Sequence, residues 1–278
     1  MRAVRNFVRS SWLGRLLLVP VRLKMALGET LLPVWRSVAW TLQSREHHNF
    51  TYELDALNVR YLTSFVAVIT GQSYATVEKY VREIEQDTEL RDRIVRWSLT
   101  AKEKYVTDPE ARFGRRIGWY AFVRATKPRL CVETGTDKGL GTCVIAAALM
   151  RNAQEGFPGK VLGMDLNPNA GFLLQPPYDQ FGKLVVGDSH VSIQALQEPV
   201  DFFIHDSDHT PEHEAAEFEL IEPKLGPNAL VLSDNAEKTD KLLAFALKTG
   251  RQFLFFTEKS ASHWCQPGGI GVAYRQPK

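Results

Sequence analysis

The chain has 278 residues, 44% apolar and 24% charged, which builds a folded core and excludes a disordered polyelectrolyte. Its three cysteines, at 131, 143 and 265, have no paired spacing; they read as core or loop thiols of a reducing, cytoplasmic compartment and exclude a disulfide scaffold. Net charge is only +2, but the first 45 residues carry seven Arg and one Lys against Glu29 alone, so this segment is +7 and the remainder −5.

The basic segment, 1–48, is expected to be amphipathic. Arg2, Arg5 and Arg9 fall on one side of a helical wheel, Val4, Phe7 and Val8 on the other, and an apolar run over 16–19 ends at Pro20. No stretch approaches the roughly 18 uncharged apolar residues of a membrane span. A secretory signal fits poorly, because no small-residue cleavage site follows. Arginines with few acids, together with Trp12, Trp35 and Trp40, suit peripheral contact of residues 1–45 with an anionic membrane surface. An organellar presequence, or a helix docked on its own domain or in an oligomer, would have the same composition. Nucleic acid is not an expected partner, since the basic residues are confined to one apolar segment and the rest is acidic.

Residues 49–112 read as a helical region, a cap on a substrate mouth or a homodimer contact. Leu54, Leu57, Leu62, Phe65, Val66 and Ile69 recur at helical spacing with Gly71 as a stop, and Val77, Tyr80, Val81 and Ile84 mark a second helix. From 113 to 278 the pattern changes to strands alternating with helices. A helix over 113–125 leads into a strand that ends at Glu133, followed by Gly135, Thr136, Gly139, Gly141 and Thr142. Glycines at that turn let the backbone approach a ligand closely, and strand, glycine loop, helix is the first unit of a doubly wound α/β domain. The spacing is Gly-x3-Gly-x-Gly, unlike the dinucleotide pattern. Further apolar runs end in Asp165, in Gly187-Asp188, in His205-Asp206 and in Asp234-Asn235. Two more strands, over 252–257 and 270–275, flank a loop at 258–269 that carries Trp264.

At these residues the chain resembles the class I S-adenosylmethionine-dependent methyltransferases, whose first motif is acidic-x-Gly-x-x-x-Gly. The resemblance implies a Rossmann-like, seven-stranded, mostly parallel α/β sheet with its last strand antiparallel, preceded by N-terminal helices. It implies a cofactor, S-adenosyl-L-methionine, bound by Glu133, Gly135, Thr136, Gly139, Thr142, Asp165 and Asp188, with Asp165 on the ribose hydroxyls. Asp206, Asp234 and Asn235 resemble the metal ligands of the cation-dependent catechol and caffeoyl-CoA type O-methyltransferases. An oxygen-only set of that kind suits Mg²⁺. His209 stands where those enzymes carry a lysine, and reads either as a general base beside Asp206 or as the entry to a helix at Thr210-Pro211. His205, His209 and His213 do not read as a zinc site; His213 is placed on a solvated face. The expected reaction is methyl transfer to a hydroxyl on a small molecule or a glycoconjugate sugar. A metal-independent N- or C-methyltransferase and a non-catalytic cofactor binder are the alternatives.

Overall fold

A computed structural model describes residues 7–8, 10–265 and 268–276. The wheel of Arg2, Val4, Arg5 and Arg9 therefore lies outside the described residues. The chain divides into two compact units, the smaller comprising the segment up to Ser44 with Ser262–Cys265, the larger Arg45–Ala261 with the C-terminal strand segment.

In the smaller unit, Ser11 caps α1 (Trp12–Leu17) by accepting from the Gly14 backbone N–H at 3.0 Å. α2 (Val19–Gln43) follows and runs for 25 residues. Pro20 does not end the apolar run. It sits in the first turn of α2, where a missing N–H costs no hydrogen bond, and so opens the helix instead. Trp40 packs against Trp264 and His263, with ring centroids 5.4 and 6.1 Å away, so Trp264 has an aromatic partner inside this unit.

The larger unit begins with three helices where the sequence pattern marked two. They are α3 (Ala56–Thr70), α4 (Tyr74–Glu85) and α5 (Thr88–Thr100), capped by Asp55, Ser73 and Asp87 respectively. Gly71, at φ 68°, ends α3 in the left-handed conformation that glycine adopts without strain. α6 (Arg116–Thr126) starts later than expected and stops at Lys127, before Pro128. The seven strands are β1 (Leu130–Thr134), β2 (Lys160–Asp165), β3 (Gly182–Val186), β4 (Val200–His205), β5 (Leu225–Ser233), β6 (Gln252–Thr257) and β7 (Gly269–Tyr274). The helices of this half are α7 (Leu140–Gln154), α8 (Ser189–Gln194), α9 (Pro211–Ile221) and α10 (Lys241–Lys248).

The strands form one sheet in the order β3-β2-β1-β4-β5-β7-β6. β1 to β5 are parallel, while β7 runs antiparallel to both β5 and β6. The two central strands are buried on both faces: Cys131 and Phe202 pack into one layer of core, Val132 and Phe203 into the other. This explains their unbroken apolar runs, because a parallel sheet is covered on both sides. Strand order reverses at β1 and β4, and ligands of open α/β sheets bind beyond the strand ends at such a point.

Candidate active site

The first wall of the site is the turn after β1. Gly135 has φ 78°, and a Cβ there would overlap the Asp206 carbonyl, so only glycine fits. Gly135 N–H donates to the Met164 carbonyl at 2.9 Å, and Asp206 N–H donates to the Thr134 carbonyl at 3.0 Å. Gly139, at φ 89°, begins α7 with its α-carbon against Gly171. Glu133 points into the protein beneath this helix start. Its carboxylate accepts from the Thr142 hydroxyl, and a side chain at Gly141 would collide with it. Burial pushes the Glu133 carboxyl up to about 7, against the opposing hydrogen bond from Thr142.

A cavity of about 520 Å³ opens beyond the ends of β1 to β4. Gly135, Asp165 and Asp188 line it, together with Asp137, His190, Asp206 and His213. Of the residues expected to hold the cofactor, Glu133, Thr136, Gly139 and Thr142 are not in this lining; they brace the loop from behind. Asp165 accepts from the N–H groups of Asp137 and Asn167, each at 2.8 Å. Each carboxylate oxygen accepts more than one hydrogen bond, so both keep capacity for a diol. Asp188 caps α8 through the His190 N–H at 2.8 Å.

Below the cavity lies a polar network that sequence reasoning missed. Glu217 accepts from Thr134 (2.7 Å), Ser189 (2.6 Å), Ser207 (2.9 Å), His205 Nδ1 (2.7 Å) and His213 Nε2 (3.1 Å). Burial raises its carboxyl, but these donors and the His205 ring outweigh it and hold the group down at about 2. His213 corrects the expectation of a solvated face: it is half-buried, its neighbour Glu214 is buried, and its ring stacks on His190 at 4.5 Å.

The second wall brings Asp206, His209, Asp234 and Asn235 together. Ligand atoms of Asp206, His209 and Asp234 lie within 4.8 Å of one another. Asn235, at φ 50°, donates from Nδ2 to His209 Nε2 at 3.1 Å and to Asp234 at 2.8 Å, so its amide nitrogen faces the pair. Burial holds the His209 ring below the usual imidazole range, and Asp206 Oδ1 stands 3.8 Å from its Nε2. The helix-entry reading of the same segment is also visible, with Thr210 preceding α9 and Pro211 in its first turn.

Three residues in this wall carried no local sequence signal. Arg115 lies along the Asp234 carboxylate through Nε and Nη2, the latter at 2.5 Å, and donates to the Tyr52 hydroxyl at 2.9 Å. Tyr52 in turn donates to Glu258 at 2.8 Å. The same guanidinium is 3.9 Å from both Asp206 and Glu258. Burial and the neighbouring Asp234 push Asp206 well above the carboxylate range, while Arg115 overcomes burial to hold Asp234 below it. Burial likewise raises Glu258 to about 7. Three largely buried carboxylates thus share contact with one guanidinium.

Residues 132–236 match a family model described as a methyltransferase domain. Among solved structures, the O-methyltransferase TomG from Streptomyces achromogenes, in complex with SAM, is 11% identical, covering 72% of this chain and 96% of its own at a TM-score of 0.50. A methyltransferase from Geobacter sulfurreducens is 19% identical over 66% of this chain and 89% of its own, with a TM-score of 0.49. An O-methyltransferase from Bacillus cereus in complex with SAH is 14% identical over 77% and 97%, with a TM-score of 0.43. A search of curated proteins finds no match. The match over residues 132–236, the glycine loop and the sheet order agree on a Rossmann-like methyltransferase fold.

Proposed function

We propose that this chain transfers the methyl group of S-adenosylmethionine to a hydroxyl oxygen, on a small molecule or on a sugar of a glycoconjugate. One observation carries the reading: a cavity fit for a nucleoside opens beyond β1 to β4, and its wall at Asp206 continues into a cluster that holds the His209 imidazole. Asp165 presents a carboxylate with spare acceptor capacity to a ribose diol, and Gly135 leaves room for the amino-acid portion. S-adenosylmethionine, when bound, supplies a methyl group already activated on sulfonium. The protein has to place the acceptor in line, exclude water and remove a proton. His209 is suited to take that proton. Burial favours its unprotonated form, its Nε2 accepts a hydrogen bond from Asn235, and the Asp234 carboxylate close by balances the charge it gains.

Mg²⁺ belongs to the same proposal, held by Asp206, Asp234 and Asn235. The site suits it in charge, because the three carboxylates Asp206, Asp234 and Glu258 gather around Arg115, with Arg116 as a further nearby cation. Asn235 would turn its amide oxygen inward to serve as a ligand. A bound divalent ion would acidify an acceptor hydroxyl. A metal-independent transfer is the second reading, and the observation favouring it is the guanidinium of Arg115 already seated against Asp234.

Calorimetric titration with S-adenosylhomocysteine, with and without Mg²⁺, on the wild type and on Asp234→Ala tests both. The proposal expects cofactor-product binding to both proteins and a Mg²⁺ signal in the wild type alone. Binding indifferent to Mg²⁺ in both proteins removes the metal and leaves the second reading; no binding to either removes the methyltransferase proposal itself.

A further inference from the structure

Apolar side chains cover most of α2, and they face solvent. Leu23, Leu27, Leu31, Val34, Val38 and Leu42, spaced by four, four, three, four and four, form one stripe whose members are between 38% and 81% exposed. At 100° per residue, Trp35 (70% exposed) extends the stripe, and Val21, Met25 and Leu32 widen it, so that apolar residues cover well over half the wheel. On the opposite side of the wheel Arg22 and Arg36 flank the position of Glu29, and Lys24 stands at the edge of the stripe. α1 repeats the composition in miniature, with Trp12, Leu13, Leu16 and Leu17 exposed around Arg15. Soluble proteins rarely leave an apolar face of this extent uncovered.

We infer that α1 and α2 form a docking surface for an anionic lipid bilayer, along which they lie rather than cross. No helix among the described residues is long and apolar enough to span. Charge selects the occupant. The segment up to Ser44 holds seven basic side chains and one acid, with Arg15, Arg22, Lys24 and Arg36 against Glu29 on α1 and α2 themselves, so a negatively charged surface is attracted. A helix is about 10–12 Å across with its side chains, comparable to the ~8 Å screening length at physiological salt, so even the arginines on its far strip feel that surface. Lys24 has a stem long enough to lie along the apolar stripe with its ammonium among the headgroups. A second copy of the chain fits less well. A helix zipper has a narrow seam flanked by charges of both signs, whereas two of these helices would bring like charges together across a stripe too wide for a seam.

The test is co-sedimentation of the full-length protein with vesicles of phosphatidylcholine alone and of phosphatidylcholine mixed with phosphatidylserine, over a range of salt. The expected result is pelleting with the phosphatidylserine vesicles, weakening as salt rises, and little with phosphatidylcholine alone. The double variant Leu27→Asp/Leu31→Asp should bind the anionic vesicles at least about tenfold more weakly, since two exposed anchors are lost. Its thermal melting, followed by circular dichroism, should match the wild type. Wild-type protein that stays in the supernatant with anionic vesicles overturns the inference. So does a wild-type dimer, by light scattering, that the same substitutions convert to a monomer.

Discussion

At residue 217 a single carboxylate accepts five hydrogen bonds in a space from which water is excluded. Glu217→Gln would turn one oxygen into a donor facing other donors, and the expected loss of stability is about 3–5 kcal/mol, the range for breaking a buried charged pair. The pH dependence follows from its lowered pKa of about 2. Glu217 contributes its full stabilisation above the pKa it has when unfolded, about 4.3, and loses it as pH falls toward 2. Urea melts of wild type and variant should therefore differ most near neutrality and converge in acid. His209→Ala should lower kcat by about 10²–10⁴ and leave S-adenosylhomocysteine affinity in place, because a general base acts on the acceptor and not on the cofactor. Equal losses in kcat and in cofactor affinity would assign His209 to the scaffold. Arg115→Leu removes the cation lying against Asp234. The variant should melt below the wild type, and added Mg²⁺ should recover part of the difference if the carboxylates hold it; a melting temperature blind to Mg²⁺ would argue for the metal-independent reading.

Among the elements, the strand ends are legible in the sequence and the helices less so. Every parallel strand that borders the site has an acid at its end or within two residues of it (Glu133, Asp165, Asp188, Asp206, Asp234), in chain order and at βα spacing, so the run of residues alone marks β1 to β5. The helix starting at Val19 is hidden because proline is both a helix breaker and a favoured first-turn residue, and the apolar run before it suggests the former role. The turn between β1 and α7 makes a sharper prediction. Gly135→Ala places a methyl group against the Asp206 carbonyl at a φ of 78°, which costs roughly 1–3 kcal/mol in backbone strain alone. S-adenosylhomocysteine binding should fall at least tenfold in calorimetry, while Gly156→Ala, also at positive φ but with open space around its Cβ, should keep that affinity.

For the molecule as a whole, the seven strands, the antiparallel last one and the glycine loop are accessible from one sequence, and the arginine wall is not. Arg115 meets Tyr52 and Asp234 across 63 and 119 residues, and Tyr52 meets Glu258 across 206. Such contacts leave no local periodicity; they exist only once the sheet has closed. The histidine stack over Glu217 escapes notice for the same reason, since His190 and His213 belong to different helices. A ligand seated in the cavity should also stabilise the larger unit by mass action. At a hundredfold excess over its Kd, S-adenosylhomocysteine should add about 2.7 kcal/mol, seen as a higher melting temperature in calorimetry.

The contact between Gly135 and the carbonyl of Asp206 has a consequence for how ligands communicate. On the proposed function, the turn that would cradle the cofactor and the strand end that would receive the acceptor are two sides of the same layer of backbone, one peptide thick. A displacement on either side is transmitted without an intervening side chain to absorb it. The two occupancies would then be thermodynamically linked, and whatever factor the first ligand applied to the affinity of the second would be returned in equal measure.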